Sequence, residues 1–410
     1  MTDRPGRVLT PGVMYDDARG ADRVDRVRSA GAGLWDRLGH RPGPTWALPT
    51  LIALRDEYPD AARVAHQGDV VNAWLTGRPS VATDTSTALK TGYDTERRCW
   101  PTGLLAGLRL DPDLFPDVVD PGTLIGEVGA PAAERTGLRA GTPVLAGTTD
   151  GCAAQLGAGA VTPGAWHSVL GTTLVLKGVA RAPVRDPEAA VYSHRSPVPG
   201  WWLPGGASNT GAAVLDRFVP RNRFDAVTRR LLDRPPRWIP VAYPLPGRGE
   251  RFPVTDPDAE GFWLDAGGNA NPLSALAGMT DEVTAFAALA DGVAFVERWC
   301  FERLGELGAD LGGPRTVSGG ATANPWWNRR RADLLGVPLH LPATAEPAFG
   351  MAVLAAAATG GTGRAGDGLE AAGRRMCHTT STVEPRPDPA LADRYAMFAE
   401  ALGARYGTRA

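Results

Sequence analysis

The sequence predicts an α/β fold, from three observations. Short apolar runs ending in Gly-rich turns read as strands, and they alternate with stretches of helical period. The 51 glycines and 36 prolines fall between these periodic segments and form no single tract, which marks a loop-rich globular chain. With 410 residues, 43% of them hydrophobic and 21% charged, the chain is long enough for two or three domains with sizeable cores.

Taken in order, Val8 to Tyr15 is a short strand candidate, and Ala21 to Leu38 reads as a polar helix. Residues 41–49 form a Pro-punctuated loop. Leu48 to Glu57 and Gly68 to Leu75 read as helices, the second closed by Gly77. From Asp111 to Gly141 the chain is rich in Pro, Gly and Asp, and a domain boundary is expected near its end, separating 1–140 from 141–410. Thr142 to Ala146 then leads as a strand into GTTDG and a small-residue helix, Ala153 to Leu156. Trp166 to Val169 and Thr173 to Lys177 look like paired strands about a turn. Residues 256–274 read as a loop, and a long helix follows with Thr280 as its cap. The strand Thr316 to Ser318 enters Gly319-Gly320, and a helix follows with Asn324 as cap, Pro325 at its first position and Gly336 past its end. A last helix begins at Asp388-Pro389 and carries Leu391, Tyr395, Phe398 and Leu402 on one face.

Composition excludes several classes. A formal net charge of -2 offers no electrostatic case for nucleic acid or anionic lipid. No apolar run approaches the roughly 20 residues that span a bilayer. The charged, Pro-containing start MTDRPGRVLT has no apolar segment of signal type, so the cytoplasm is the default location. The four cysteines are far apart, which argues against zinc and against a disulfide framework, and the six histidines show no metal-ligand spacing. GTGRAG at 361–366 fits a dinucleotide fingerprint in letters only, because an alanine-rich helix precedes it where a strand is needed.

Three Gly-rich turns, each after a strand candidate, are the chemical signal: 147–151, 171–173 and 318–324. Small residues let backbone N–H groups approach and cradle phosphate oxygens. Asp150, at the end of an apolar strand, can act as general base toward a hydroxyl, or it can cap the helix after it. Local sequence leaves both readings open. Trp326, beside the last turn, is the one tryptophan placed to stack on a base.

In order along the chain, these segments resemble the FGGY carbohydrate kinases, in the ribulokinase-like branch. VLAGTTDGCAAQLGAGAVTPGAWHSVLGTT (144–173) looks like the catalytic-Asp segment and second phosphate loop, and VSGGATANPWWNRRRADLLGVPL (317–339) like the adenosine-binding turn and helix. EPAFGMAVLAA (346–356) looks like the C-terminal signature. YSHR with GWWLPGGASNTG (192–211), YPLPGRGERFPVTDPD (243–258) and DTSTALKTGYD (84–94) are similar to the same branch. The likeness runs from about Gly6 to about Gly360. The family's opening Asp-x-Gly-Thr hairpin is missing, and GRVLTPGVMYDDARG looks like a later part of the first domain.

The resemblance implies an actin-like, ribonuclease-H-like two-domain fold with a truncated first domain. It implies transfer of the γ-phosphoryl group of ATP, with Mg²⁺, to a hydroxyl of a ketopentose or related polyol. Asp150 would be the base. Gly171, Thr172, Thr173 and Gly211 would line the phosphate path, and Gly319, Gly320, Asn324 and Trp326 would hold the adenosine. Asp16 and Arg19 would face the sugar, and no residue is assigned as a metal ligand. Partners implied are a sugar and ATP, without nucleic acid or membrane, and a homo-oligomer is compatible with it. The missing hairpin supports two other expectations: a kinase-derived binding or regulatory protein, or a natural chain that starts further upstream.

Overall fold

The computed structural model describes residues 1–360 and 365–407, so part of the 361–366 match lies outside the described residues. The chain makes two compact units that interleave in sequence. Met1–Ala153, Tyr192–Leu203 and Met351–Ala372 form the first; Ala154–Val191, Pro204–Gly350 and Gly373–Ala410 form the second. Helices and strands alternate through both, as an α/β chain requires.

The first unit is mostly short helices around one apolar cluster. Helix Ala47–Glu57 turns Leu48, Leu51 and Ile52 inward, where Trp35, Leu89 and Leu105 close on them. Helix Gln67–Thr76 stops at Gly77, whose φ of +67° is the left-handed cap that glycine takes readily. Two expectations fail here. Only Val8 of the stretch Val8–Tyr15 bridges a partner, Thr2, because Pro11 and Gly12 interrupt any ladder. The helix expected over Ala21–Leu38 is divided into Val24–Ala30 and Ala32–Leu38 at Gly31, and the Trp35 indole N–H bonds the Val27 carbonyl beneath the break at 3.0 Å. Strands in this unit are short: Thr83–Asp84 lies parallel to Val118–Val119, and Leu124–Glu127 antiparallel to Pro143–Leu145.

One mixed sheet organises the second unit. Six of its strands are β1 (Trp166–Leu170), β2 (Leu174–Gly178), β3 (Trp202–Ser208), β4 (Arg315–Ser318), β5 (Leu339–Pro342) and β6 (Thr379–Val383), in spatial order β6-β5-β4-β1-β2-β3. β1 and β2 form the expected hairpin, with Leu170 opposite Leu174. β4 runs parallel to β1 and pairs Ser318 with Val169, so both strands finish at the same end of the sheet. Antiparallel β3 brings Ser208 beside Leu174 and ends there as well. Ligands of open α/β sheets bind outside such carboxyl ends.

Four helices matter for that end: α1 (Phe224–Asp233), α2 (Glu282–Glu306), α3 (Pro325–Leu335) and α4 (Pro389–Tyr406). α2 is buried on nearly all sides, from Val283 through Phe286, Val293 and Phe295 to Leu304, as a helix inside a core must be. Its cap is Asp281, one residue later than expected. One carboxylate oxygen accepts both the Val283 and Thr284 N–H groups, where the Thr280 hydroxyl bonds back to Leu276. Inside the expected loop 256–274, Phe262–Leu264 and Ala270–Pro272 pair as strands, joined by the distant Val241–Tyr243. That pairing is long-range, so no local pattern announces it.

A buried ion pair joins sheet and helices. Arg331 on α3 donates through Nε to Glu297 Oε2 at 2.6 Å and through Nη2 to Oε1 at 2.7 Å, and Glu297 lies on α2. Ser168 on β1 donates to the same carboxylate and accepts from Arg331 at 3.1 Å. Both charged side chains are 0% exposed. Nearer the start of α2, Asp291 meets Arg330 of α3 and Arg394 of α4. Burial alone would raise its carboxyl, but the two guanidinium groups outweigh that and hold it below its usual value.

Two outcomes are expected. Glu297→Ala leaves a buried guanidinium unpaired and should lower unfolding free energy by about 3–5 kcal/mol in urea titration. His167 on β1 is buried between the hydroxyls of Thr316 and Ser318 and is pushed down to about 4 by desolvation. Between its unfolded value of about 6.5 and that figure, the unfolded chain binds a proton that the folded chain does not, so stability falls as pH drops. His167→Gln should flatten the fall in unfolding free energy across this window by about 1.4 kcal/mol per pH unit.

Candidate active site

Backbone turns gather at the carboxyl end of the second unit's sheet. Gly171-Thr172-Thr173 closes the β1–β2 hairpin, with the Gly171 N–H donating to the Thr173 carbonyl at 3.1 Å. The segment after β3 lies directly on it: Ala212 N–H donates to the Gly171 carbonyl, and Leu174 N–H to the Thr210 carbonyl, both at 2.8 Å. A Cβ on Gly211 would stand 2.4 Å from the Thr172 carbonyl oxygen, so only glycine permits this stacking. Gly319, just past β4, has a φ of +95°, and a Cβ there would stand 2.4 Å from the Leu170 carbonyl oxygen. Gly320 has open space instead and begins the single 3-10 turn Gly320–Ala323. Gly171, Thr172, Thr173, Gly211 and Gly319, far apart in sequence, therefore share one ridge of backbone, with Thr172 exposed at its tip. Glycine-lined N–H groups at strand ends can hold phosphate oxygens.

Asn324 caps α3 as expected, its Oδ1 accepting the Trp327 N–H at 3.0 Å. Its Nδ2 donates to Thr228 on α1 at 2.7 Å, so the amide is committed to protein partners. Trp326 is only 7% exposed, belongs to the apolar core, and carries the Arg330 guanidinium 5.6 Å above its ring. The broad stacking face expected of it is therefore not open, and a base could meet its edge alone.

In the first unit, Asp150 is the first residue of the helix Asp150–Gly157, so the cap position falls to Thr149, whose carbonyl accepts the Ala153 N–H. The Asp150 carboxylate is exposed and accepts the Gly151 N–H at 2.7 Å. Among the described residues it pairs with no cation. Arg19 is exposed and held by Asp17 through a two-pronged contact, with Nη2 to Oδ2 at 2.8 Å, while Asp16 stands exposed beside it. Sequence reasoning missed a buried polar chain in this unit. Thr149 Oγ1 is 3.1 Å from Ser86 Oγ, which is 2.9 Å from His194 Nδ1. Asp84 caps the short helix carrying Ser86, and burial pushes its carboxyl up. Ser86 and His194 lie in two of the family-like stretches, but only the fold brings them together.

Among the described residues, no group of three or more His, Cys, Asp or Glu is arranged to hold a metal ion, and no helix is long and apolar enough to cross a membrane.

The arrangement suits an enzyme that positions a phosphorylated nucleotide by backbone contacts. Comparison with known proteins gives the family. The model of the N-terminal domain of the FGGY family of carbohydrate kinases matches residues 1–157, and that of the C-terminal domain matches 167–359. The autoinducer-2 kinase of Escherichia coli (strain HS) is 30% identical over 393 residues, which cover 91% of this chain and 72% of that protein. Two solved structures are 25% identical: a xyloylose kinase from Brucella ovis, with a TM-score of 0.83 over 99% of this chain and 81% of its own, and the xylulose kinase from Rhodospirillum rubrum, with 0.79 over 98% and 81%. The chain belongs to the FGGY family of carbohydrate kinases, enzymes that bind a sugar and use ATP with a divalent metal.

The glycine geometry yields a contrast. Gly319→Ala should cost about 2 kcal/mol or more in urea unfolding, because the backbone conformation and the Leu170 carbonyl both oppose a side chain. Gly320→Ala, with nothing near its Cα, should stay within about 1 kcal/mol of wild type.

Proposed function

We propose that the chain transfers the γ-phosphoryl group of MgATP to a primary hydroxyl of a ketopentose or related polyol, with Asp150 accepting the hydroxyl proton. The observation that carries this reading is the Asp150 carboxylate itself. It is exposed at a helix start, bonded only to its own neighbour's N–H and free of any cation among the described residues, so it can take up a proton. Gly171, Thr172, Thr173 and Gly211 line the phosphates, while Gly319 and Gly320 let the adenosine approach the backbone, with Asn324 shaping the adjoining helix start. Xylulose is a ketopentose, and the xylulose kinase from Rhodospirillum rubrum shares this fold at 25% identity, which supports the substrate class. Autoinducer-2 belongs in the same substrate panel because of the 30% relative. Of the two sugar-facing candidates, Asp16 is the freer, since Asp17 already holds Arg19.

Phosphoryl transfer needs little covalent help from protein; positioning and charge neutralisation supply most of the rate. The base adds a factor of about 10²–10⁴. A coupled assay that follows ADP release, run with D-xylulose, D-ribulose and autoinducer-2, tests the proposal. Wild type should turn over at least one of them, and Asp150→Asn should lose that turnover by the same factor while its melting temperature stays unchanged, as the side chain is exposed. Full activity in Asp150→Asn, or nucleotide binding with no turnover of any acceptor by wild type, would overturn it.

A further inference from the structure

Glu250 is a carboxylate in an unusual setting. It is 4% exposed, yet among the described residues no lysine, arginine or histidine pairs with it. Neutral donors surround it instead. Oε1 accepts the Asn209 N–H at 2.7 Å and the Arg251 N–H at 2.9 Å. Oε2 accepts the Ser208 hydroxyl at 2.7 Å, and those of Thr210 and Tyr243 at 3.3 Å. Burying a charge without a counter-ion is unfavourable unless its hydrogen bonds are complete, and these nearly fill the lone pairs of the carboxylate.

Three of the five donors come from Ser208, Asn209 and Thr210, the residues just before Gly211. The Asn209 amide adds a bond to the Gly249 carbonyl at 2.9 Å, and the Thr210 N–H returns to Ser208 Oγ at 2.9 Å. From this fastened segment, the Thr210 carbonyl receives the Leu174 N–H, and the next amides reach Gly171 and Thr172. Glu250 is thus linked to the 171–173 turn through the loop without facing any ligand itself. We propose that Glu250 is the positioning residue that presets the phosphate turn for nucleotide, by accepting the hydrogen bonds that hold Ser208–Thr210. The inference rests on the reading of 171–173 and Gly211 as the phosphate path.

Glu250→Gln tests it, because the amide keeps the shape but brings N–H donors where only acceptors fit. Hydrogen exchange by mass spectrometry should show segments 171–175 and 208–213 exchanging about tenfold faster, with α3 unchanged, given the usual worth of hydrogen bonds to a charged group. Titration calorimetry should show ATP affinity reduced by about tenfold, with acceptor-sugar affinity unchanged. Unaltered exchange, or faster exchange with unaltered ATP affinity, overturns the proposal. Should Glu250→Gln fail to fold, Ser208→Ala removes one donor and should move both readouts in the same direction by less; no movement overturns the proposal equally. Thr172→Glu separates this inference from its foundation. Wild-type ATP affinity in that variant removes the phosphate-turn reading and this inference with it. Lost affinity there, beside an unaffected Glu250→Gln, removes the role of Glu250 alone.

Discussion

The Arg331–Glu297 pair, with Ser168 between them, is the constraint on which the second unit's site depends. Each partner is costly to desolvate, and the pairing offsets that cost because guanidinium and carboxylate meet two-pronged and the serine bonds both, although Arg331 Nη1 is left without a partner among the described residues. The pair thereby fixes the angle of α3 and α2 against β1. β1 runs into the 171–173 turn, and α3 begins just beyond Gly319-Gly320, so both turns spring from elements that this contact joins. Surface pairs do no comparable service: Arg248 and Asp258 are 67% and 71% exposed, where water and salt screen most of the attraction.

Above that anchor, the proposed phosphate path is built from backbone more than from side chains. Gly211 against Thr172, and Gly319 against Leu170, are contacts in which a single added carbon would displace main chain. A backbone fixed this way needs little reorganisation when a ligand arrives, which is the property that phosphoryl transfer exploits. The side chains nearby, Asn324 and Trp326, are largely committed to building the helix and the core.

The first unit contributes chemistry of another kind. Its candidate base is exposed and lightly held, while the residue before it, Thr149, joins a buried chain through Ser86 to His194. The candidate base is left open to solvent, while Ser86 and His194 are kept inside.

Much of this was legible in the sequence, for a physical reason. Turns, caps and short hairpins depend on residues a few positions apart, so Gly77, Asn324, Pro325 and the β1–β2 hairpin follow from local chemistry. The ordered Gly-rich segments carried the family, and at Gly211 and Gly319 they encode a close backbone approach that only glycine allows. Contacts between distant residues were not legible. Nothing local marks Glu297 for Arg331, Ser86 for His194, Glu250 for Ser208, or Val241–Tyr243 for Phe262–Leu264. Nor could the sequence tell that Trp326 turns inward, since an aromatic beside a turn reads alike whether it faces core or ligand. The chain's residues determined which backbone shapes were permitted; tertiary packing decided which permitted shapes meet, because burial and pairing energies exist only once distant segments share a core.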